Sequence, residues 1–206
     1  MEELKITPEQ EEGRVITLST PYLFEGKEYT TIDLNGLDKL TIGDAVDAQK
    51  DLFSESEAAA AVICETTTAF ARVMAAKATG LPIEFFKLAP RRVSRRVAAA
   101  VRSAITAEKE VKNHVMEFDK PYVYKGETYT EVDLNAVADL NSLNESEAEN
   151  RMVRAGFMIT ETSFNYLYGC ILASMATRKP EDFFTGLPLA ELLKLKNAVN
   201  DSGFFE

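Results

Sequence analysis

Few residues in this sequence have the types and spacing that catalysis requires. The single histidine, His114, would have to supply the base of any Ser/His/Asp or Cys/His constellation, and Arg14 stands at the position one hundred residues earlier. The spacings typical of zinc proteases, EF-hand loops, Cys-x-x-Cys sites and phosphate-binding loops are absent from the sequence. We therefore interpret His114 as a surface or strand-edge residue, and we predict that the protein is not an enzyme and uses no cofactor or metal.

Two repeated carboxylates are the next candidates for chemistry. Asp33 and Asp133 each begin an Asp-Leu-Asn segment. Carboxylates of this kind can act in acid–base catalysis or bind a cation. Aspartate and asparagine also end strands by hydrogen bonding to nearby backbone amides, and we favour this structural interpretation.

A cluster of arginines is the one feature that suggests nucleic acid. Four arginines lie at helical spacings i, i+1, i+4 and i+5: Arg91, Arg92, Arg95 and Arg96. Such a face can contact phosphates, but the net charge is -10, no aromatic residues are interleaved, and the corresponding later region carries Glu191, Lys194 and Lys196. We expect the arginines to face the acidic N-terminal part of the chain or an acidic partner helix, and we keep a nucleic-acid-binding regulator as an alternative.

The composition is that of a folded protein without a membrane segment. Of the 206 residues, 46% are hydrophobic and 27% are charged, which are ordinary values. No apolar run reaches the roughly 18 residues that span a bilayer, and Met1-Glu2-Glu3 lacks the basic start of a signal peptide. Cys64 and Cys170 lie in apolar stretches, and we expect two reduced, buried thiols. These features predict a cytoplasmic protein that does not bind membranes.

The elements that must position any site occur twice. The segment PYLFEGKEYTTIDLN at residues 21–35 returns as PYVYKGETYTEVDLN at residues 121–135, and residues 15–40 and 115–140 have ten identities in 26 positions. Weaker matches follow at offsets of 96, which pairs Phe70 with Tyr166, and 98, which pairs Phe85-Phe86 with Phe183-Phe184. We predict a tandem repeat with a first half (residues 14–112) and a second half (residues 113–206), preceded by a flexible acidic N-terminus at residues 1–13.

Each half begins with a predicted β-hairpin and continues into helix. Strand-forming residues flank Glu25-Gly26-Lys27, which we predict as a three-residue turn. That turn places five apolar side chains on one face: Leu18, Tyr22, Phe24, Ile32 and Leu34. The first helix is predicted to begin at Thr41, with Asp44 in its first turn, and the second half has a capping box at residues 142–145.

Longer helices complete each half. We predict one helix over residues 57–79, ended by Gly80, and another over residues 145–177, broken near Gly156. The Phe-Phe pairs are predicted core anchors, and the last helices begin near Pro90 and Pro188. The predicted fold class is α+β and mostly helical, with two repeats that each contain a β-hairpin followed by three to four helices.

The repeated motif resembles a known family. A strand with Pro-Tyr-x-[Phe/Tyr]-x-Gly, the Tyr-Thr-x-[Ile/Val]-Asp-Leu-Asn return strand, a capped helix, and then Thr79-Gly80-Leu81-Pro82 with Phe85-Phe86 are similar to the small tail assembly chaperones of long-tailed bacteriophages and prophages. The second half has lost the Gly-Leu pair, since it reads Thr177-Arg178-Lys179-Pro180. Members of that family usually consist of one such unit, whereas this chain has two.

The resemblance implies a non-catalytic role. It implies a chaperone that binds the tape measure protein in the host cytoplasm, keeps it soluble until tail tube subunits polymerise around it, and is absent from the mature virion. The tail tube protein and a second copy of the chain are further expected partners. A structural component of a phage or phage-like tail is the alternative. Candidate partner-binding residues are the hairpin aromatics and the arginines: Tyr22, Phe24, Tyr29, Tyr122, Tyr124, Tyr129, Arg91, Arg92, Arg95 and Arg96.

Overall fold

The computed structural model describes residues 14–55, 58–61, 63–157, 162–201 and 203. The flexible N-terminus predicted for residues 1–13 lies outside these ranges. The fold is α+β and mostly helical, as predicted. In the described residues, no helix combines the length and the apolar character that crossing a bilayer would need.

The first half has two strands, four α-helices and three short 3-10 segments. These are β1 Val15–Phe24, β2 Lys27–Asp33, a 3-10 turn at Asn35–Lys39, α1 Ile42–Ser54, 3-10 turns at Ala58–Ala61 and Cys64–Thr66, α2 Thr68–Thr79, α3 Ile83–Lys87 and α4 Arg91–Ala104.

The second half has elements in the same order. Just before it, at the end of the first half, a two-residue strand, β3 Val111–Lys112, pairs with the first strand of the second hairpin. Then follow β4 Val115–Tyr124, β5 Glu127–Asp133, a 3-10 turn at Asn135–Asp139, α5 Ser142–Arg154, a 3-10 turn at Thr162–Phe164, α6 Tyr166–Thr177, α7 Glu181–Thr185, a 3-10 turn at Leu189–Glu191 and α8 Leu192–Val199.

The hairpin turns have two residues, so the predicted three-residue turn was wrong. Phe24 pairs with Lys27, and the turn residues Glu25 and Gly26 both have positive φ, at 48° and 78°. This geometry matches the right-handed twist of the strands. A bulge between Thr17 and Tyr22 shifts the register further along the hairpin. All five side chains of the predicted face are nevertheless buried.

The starts of the first helices follow the predicted capping, with one shift. Thr41 caps α1 in a capping box with Asp44, as predicted. In the second half the cap is Asn141, whose side chain accepts from the amides of Leu143 and Asn144, so the box predicted at residues 142–145 lies one residue too late. Asparagine caps a helix as well as serine does, and Asn141 stands at the position that corresponds to Thr41.

The long helix predicted over residues 57–79 was wrong. α1 ends at Ser54, and α2 begins only at Thr68, where the Thr67 hydroxyl accepts from the amide of Phe70 at 3.1 Å. A β-branched threonine run favours a cap over continued helix. Gly80 ends α2 with a φ of 69°, as predicted, and Gly156 follows α5 with a φ of 92°. The helix predicted beyond Gly156 begins only at Tyr166, after a 3-10 turn at Thr162–Phe164.

The N-caps of α2 and α6 correct the alignment between the halves. Asn165 caps α6 by accepting from the amide of Tyr168, as Thr67 does for Phe70. These pairs are 98 residues apart, so Phe70 corresponds to Tyr168, and the predicted match with Tyr166 was wrong. The offset is therefore 100 through the hairpin and first helix and 98 from α2 onward.

Two backbone hydrogen bonds join the halves where α1 begins. The Ile42 amide donates to the Leu187 carbonyl and the Leu189 amide donates to the Leu40 carbonyl, both at 2.9 Å, which forms an antiparallel bridge between Thr41 and Pro188. The start of α1 in the first half thus contacts the segment ahead of the last helix in the second half. The reciprocal contact, from the start of α5 to Pro90, is not formed among the residues that the structure describes.

Polar side chains link the halves at further points. Gln49 is buried, its amide donates to the Phe164 carbonyl at 2.9 Å, and its oxygen accepts from the Tyr166 amide at 3.0 Å. Glu65 of the first half accepts from the Tyr166 hydroxyl at 2.9 Å and forms an ion pair with Lys196. Burial opposes ionisation of Glu65, but the hydrogen bonds and the charge of Lys196 outweigh it, so the pKa lies below its ordinary value of 4.5.

We expect the Glu65 ion pair to make the stability depend on pH. Because the folded pKa is the lower one, its contribution is complete above pH 4.5 and is lost as the pH falls through the folded pKa. Glu65→Gln should cost roughly 1 to 2 kcal/mol at pH 7 and much less in acid. Urea unfolding of both proteins between pH 3 and 7 measures this, with the exposed Glu28→Gln as control; a difference that does not change with pH would contradict it.

Candidate partner-binding surfaces

In the first half, one phenylalanine holds the hairpin aromatics. The ring of Phe85 in α3 is fully buried, and its centroid lies 4.9 Å from that of Tyr22, 5.3 Å from that of Phe24 and 4.8 Å from that of Tyr29. The Tyr22 hydroxyl donates to the Phe85 carbonyl at 2.9 Å. Burial raises the pKa of Tyr22. Tyr22 and Phe24 are thus core residues of the folded chain, and only Tyr29 keeps partial exposure.

The second half repeats this arrangement around Phe183. The Phe183 centroid lies 5.3, 5.2 and 4.9 Å from those of Tyr122, Tyr124 and Tyr129. These three tyrosines are only partly buried. The ammonium of Lys179 lies 4.1 Å from the Tyr129 centroid, a cation–π contact.

A hydrogen bond links the second hairpin to α7. The Tyr124 hydroxyl donates to Asp182 at 2.7 Å, and Lys125 lies 3.7 Å from the same carboxylate. The Tyr124 hydrogen bond, supported by Lys125, lowers the pKa of Asp182. Of the six candidate aromatics, those of the second half therefore present more surface to a partner.

The outward face of each hairpin carries an exposed apolar residue that the sequence interpretation missed. Leu23 and Val123 each expose 63% of their surface and stand at equivalent positions. A sequence signal was available, because side chains alternate along a strand and Leu23 lies between the inward Tyr22 and Phe24. The exposed side chains of Leu23 and Val123 are therefore candidates for contact with an apolar partner.

The arginines of α4 fall into two groups. Arg91, Arg92 and Arg95 are exposed, and within the described ranges they form no ion pair or side-chain hydrogen bond. Arg96 donates to the Thr17 carbonyl in β1, so it ties the last helix to the hairpin. In the second half Lys194 occupies the position of Arg96 and donates to the carbonyl of Glu117, which corresponds to Thr17.

Adjacent arginines should therefore differ in their effect on stability. Arg96→Ala removes the hydrogen bond to β1 and should lower the free energy of unfolding by about 1 kcal/mol, whereas Arg95→Ala should change it by less than about 0.5 kcal/mol. Urea unfolding at constant pH and salt compares the two variants. Equal effects would show that the contact with Thr17 does not stabilise the hairpin.

The remaining chemical candidates have structural roles. Asp33 and Asp133 accept from the amides of Asn35 and Asn135 at 2.9 and 2.8 Å, as the favoured interpretation expected. His114 lies 3.4 Å from Asp201. The described residues contain no group of three or more histidine, cysteine or carboxylate side chains placed to hold a metal ion.

The two cysteines are free and buried. Burial raises the pKa of Cys64 to about 12, with the neighbouring Glu65 adding to the effect, and burial also raises that of Cys170. A thiol reacts as the thiolate. Neither cysteine is therefore poised to act as a nucleophile at neutral pH.

Comparison with known families decides what the hairpin-and-helix unit is. Residues 15–105 match the family described as phage tail assembly chaperone proteins, E, or 41 or 14. The match begins with the first residue of β1 and ends one residue after α4, so it covers the first hairpin and all four α-helices of the first half. Residues 15–105 are therefore a unit of the phage tail assembly chaperone family. No curated protein and no solved structure matches the chain.

The family assignment gives the chaperone a role in tail assembly. The match ends within the first half, and the second half has the same order of elements with a similar hairpin cluster around Phe183. We propose that the second half is a duplicated chaperone unit whose last helix, α8, differs from α4 of the first half.

Proposed function

We propose that this chaperone binds the tape measure protein and keeps it soluble until tail tube subunits polymerise around it. The family match across the complete first half carries this proposal. The chaperone acts in the host cytoplasm, by binding and without catalysis, and it leaves before the virion is complete. The tail tube protein is a second proposed partner, which would take over the tape measure protein as the chaperone leaves.

The surfaces of the hairpins support binding to an apolar helix. A long helical protein with apolar stripes can be kept soluble when apolar surfaces cover those stripes. Leu23 and Val123 expose apolar surface on both hairpins, and the partly exposed tyrosines of the second half widen it. We assign the first contacts with the tape measure protein to Leu23, Val123, Tyr124 and Tyr129. The net charge of -10 keeps the complex soluble.

Co-expression with the tape measure protein tests the proposal. We expect the two proteins to co-purify and the soluble fraction of the tape measure protein to rise. The Leu23→Asp and Val123→Asp double variant should lose most of this effect, because it replaces the exposed apolar side chains with charged ones. Both changes leave the buried faces of the hairpins intact, so the variant should still fold. Glu28→Gln with Glu131→Gln, two exposed changes on the same hairpins, is the matched control.

Several outcomes would count against the proposal. If no co-purification and no gain in solubility are observed, the chain does not hold the tape measure protein. Recovery of the chain in purified particles in stoichiometric amounts would place it among the structural components of the tail. Nucleic acid in the eluate, lost on addition of salt, would direct attention to the arginines of α4.

A further inference from the structure

In the second half, the residues that precede the hairpin run beside the last helix. Residues of the segment 106–114 and one side of α8 line the same groove, which has a volume of about 480 Å³. Val111 of the segment and Leu193 of the helix both line it, and both are half-buried. At the end of the segment, Nε2 of His114 lies 3.4 Å from a carboxylate oxygen of Asp201, just beyond α8. This groove therefore holds the chain that leads into the second hairpin.

The first half brings the same two elements together. The carbonyls of Arg14 and His114 each accept, at 2.9 Å, from the amide of the leucine that follows the return strand, so the two residues correspond. The guanidinium of Arg14 also donates to the carbonyl of Ala100 in α4 at 3.2 Å. Ala100 corresponds to Ala198, which lines the groove of the second half. The chain that precedes Arg14 is therefore tethered beside α4.

Charged residues replace apolar ones on both sides of the groove. Glu11 stands in place of Val111, and Arg95 stands in place of Leu193. An apolar pair in the second half thus corresponds to a glutamate and an arginine in the first. Both positions have changed together and in a complementary way, as expected for residues that meet.

The wider charge pattern follows the same division. Residues 1–13 hold five glutamates against one lysine, whereas residues 101–113 hold two glutamates against three basic residues. In α4 the residues Arg91, Arg92 and Arg95 are exposed, and α8 contains no arginine. The acidic stretch and the arginines therefore occur together in the first half, and the second half has neither.

We propose that residues 1–13, the acidic segment, bind Arg91, Arg92 and Arg95, the arginine face of α4, within the same chain. The template is the groove of the second half, in which Lys109 and Val111 correspond to Glu9 and Glu11. Glu9 and Glu11 then lie against Arg95, and the earlier glutamates extend toward the start of the helix. The bound segment keeps the phosphates of nucleic acid away from the arginine face.

The length of the acidic segment and its tether favour this occupant over others. α4 has 14 residues and is about 21 Å long, whereas 13 extended residues span up to about 43 Å. The segment can therefore reach the whole arginine face from Arg14. A group linked in this way has an effective concentration on the order of millimolar, which an acidic helix of a separate partner does not have. Nucleic acid is further disfavoured by the net charge of -10.

Cysteine cross-linking in the full chain tests the contact. Gln10→Cys and Ala99→Cys leave every charge in place, and their counterparts Glu110 and Asn197 both line the groove of the second half. We expect a disulfide within one chain, formed at a rate that does not depend on protein concentration. It should form at least about tenfold faster than in Gln10→Cys with Leu23→Cys, because Leu23 lies at the far end of β1. Wild-type protein is the control for Cys64 and Cys170, which are buried.

Charge reversal shows whether ion pairing holds the segment in place. Changing all three residues of the arginine face to glutamate in the cysteine-pair variant should slow the cross-link roughly tenfold. Changing Glu9, Glu11 and Glu12 to arginine in that same chain should restore it. Salt at 1 M should also slow the cross-link of the parent pair, because it screens charges beyond about 3 Å.

Arginine labelling with phenylglyoxal provides a measurement without added cysteines. In a variant with all five glutamates of the acidic segment changed to glutamine, we expect the residues of the arginine face to react several-fold faster than in wild type. Arg178, an exposed arginine of the second half, should react at the same rate in both proteins. Mass spectrometry of peptides identifies the labelled residues.

Three results would overturn the proposal. One is equally slow cross-linking of Gln10→Cys with Ala99→Cys and with Leu23→Cys. The second is equal labelling of the arginine face in wild type and the glutamine variant, which would leave that face to an acidic partner helix or to nucleic acid. The third is a disulfide between chains, formed faster at higher concentration. The tape measure protein takes no part in these measurements, so this proposal and the proposed function fail separately.

Discussion

Replacing Gly36 with alanine is expected to lower the free energy of unfolding by roughly 3 kcal/mol, at the upper end of the cost of overpacking. A Cβ atom at this position would lie 1.9 Å from the carbonyl oxygen of Ala78 and 2.8 Å from its carbonyl carbon. The obstacle is the backbone of α2, which cannot turn aside as a flexible side chain can. The 3-10 turn that follows the first hairpin would have to move away from α2.

The second half supplies the control for this prediction. Ala136 stands at the position of Gly36, and its side chain is exposed. Ala136→Gly should cost no more than about 1 kcal/mol, since it only adds freedom to the unfolded chain. Urea unfolding measures both variants. A Gly36→Ala protein as stable as the wild type would show that the turn can move away from α2 at little cost.

Replacing Phe85 with alanine is expected to cost about 3 to 5 kcal/mol, the range for deleting a buried phenylalanine. Three aromatic rings of the first hairpin lie around Phe85, so the change leaves a cavity that the rigid strands cannot fill. The hairpin should lose its fixed position, because the rings of Tyr22, Phe24 and Tyr29 all pack on Phe85. The loss of near-ultraviolet circular dichroism should accompany the loss of stability.

Two further variants make this result interpretable. Phe85→Leu keeps much of the volume and should cost clearly less than Phe85→Ala, whereas Leu88→Ala, only three residues away and exposed, should change stability by less than about 0.5 kcal/mol. Phe183→Ala in the second half should also destabilise the protein. If the cost of Phe85→Ala were as small as that of Leu88→Ala, the hairpin would not depend on this ring.

Much of the local structure could be predicted from the sequence because it depends on neighbours in the chain. The alternation of apolar residues and the glycine turn predicted both hairpins, and Thr41 with Asp44 predicted the start of α1. The Phe-Phe pairs were predicted as anchors, and both are buried. The repeated motif also led to the family that the match over residues 15–105 shows.

The errors arose where local signals were ambiguous. Positive φ at two adjacent turn residues and a bulge between Thr17 and Tyr22 set the hairpin register, and turn residues alone do not specify a bulge. The apolar and small residues before Thr68 are compatible with helix, yet the Thr67 cap starts α2 later. In each case two local conformations had similar propensity, and packing in the folded chain selected one of them.

By itself, then, the sequence determined the elements, their order and the family, since turns, caps and periodicity act over a few residues. Only the tertiary structure decided which of the candidate side chains stay exposed. Tyr22 and Phe24 are core residues, whereas Leu23 and Val123 are exposed. Arg96 donates to β1, whereas Arg95 forms no ion pair or side-chain hydrogen bond in the described part of the chain. The one-way junction between the halves was likewise decided by long-range contacts, because pairing of residues far apart in the chain depends on how whole elements pack.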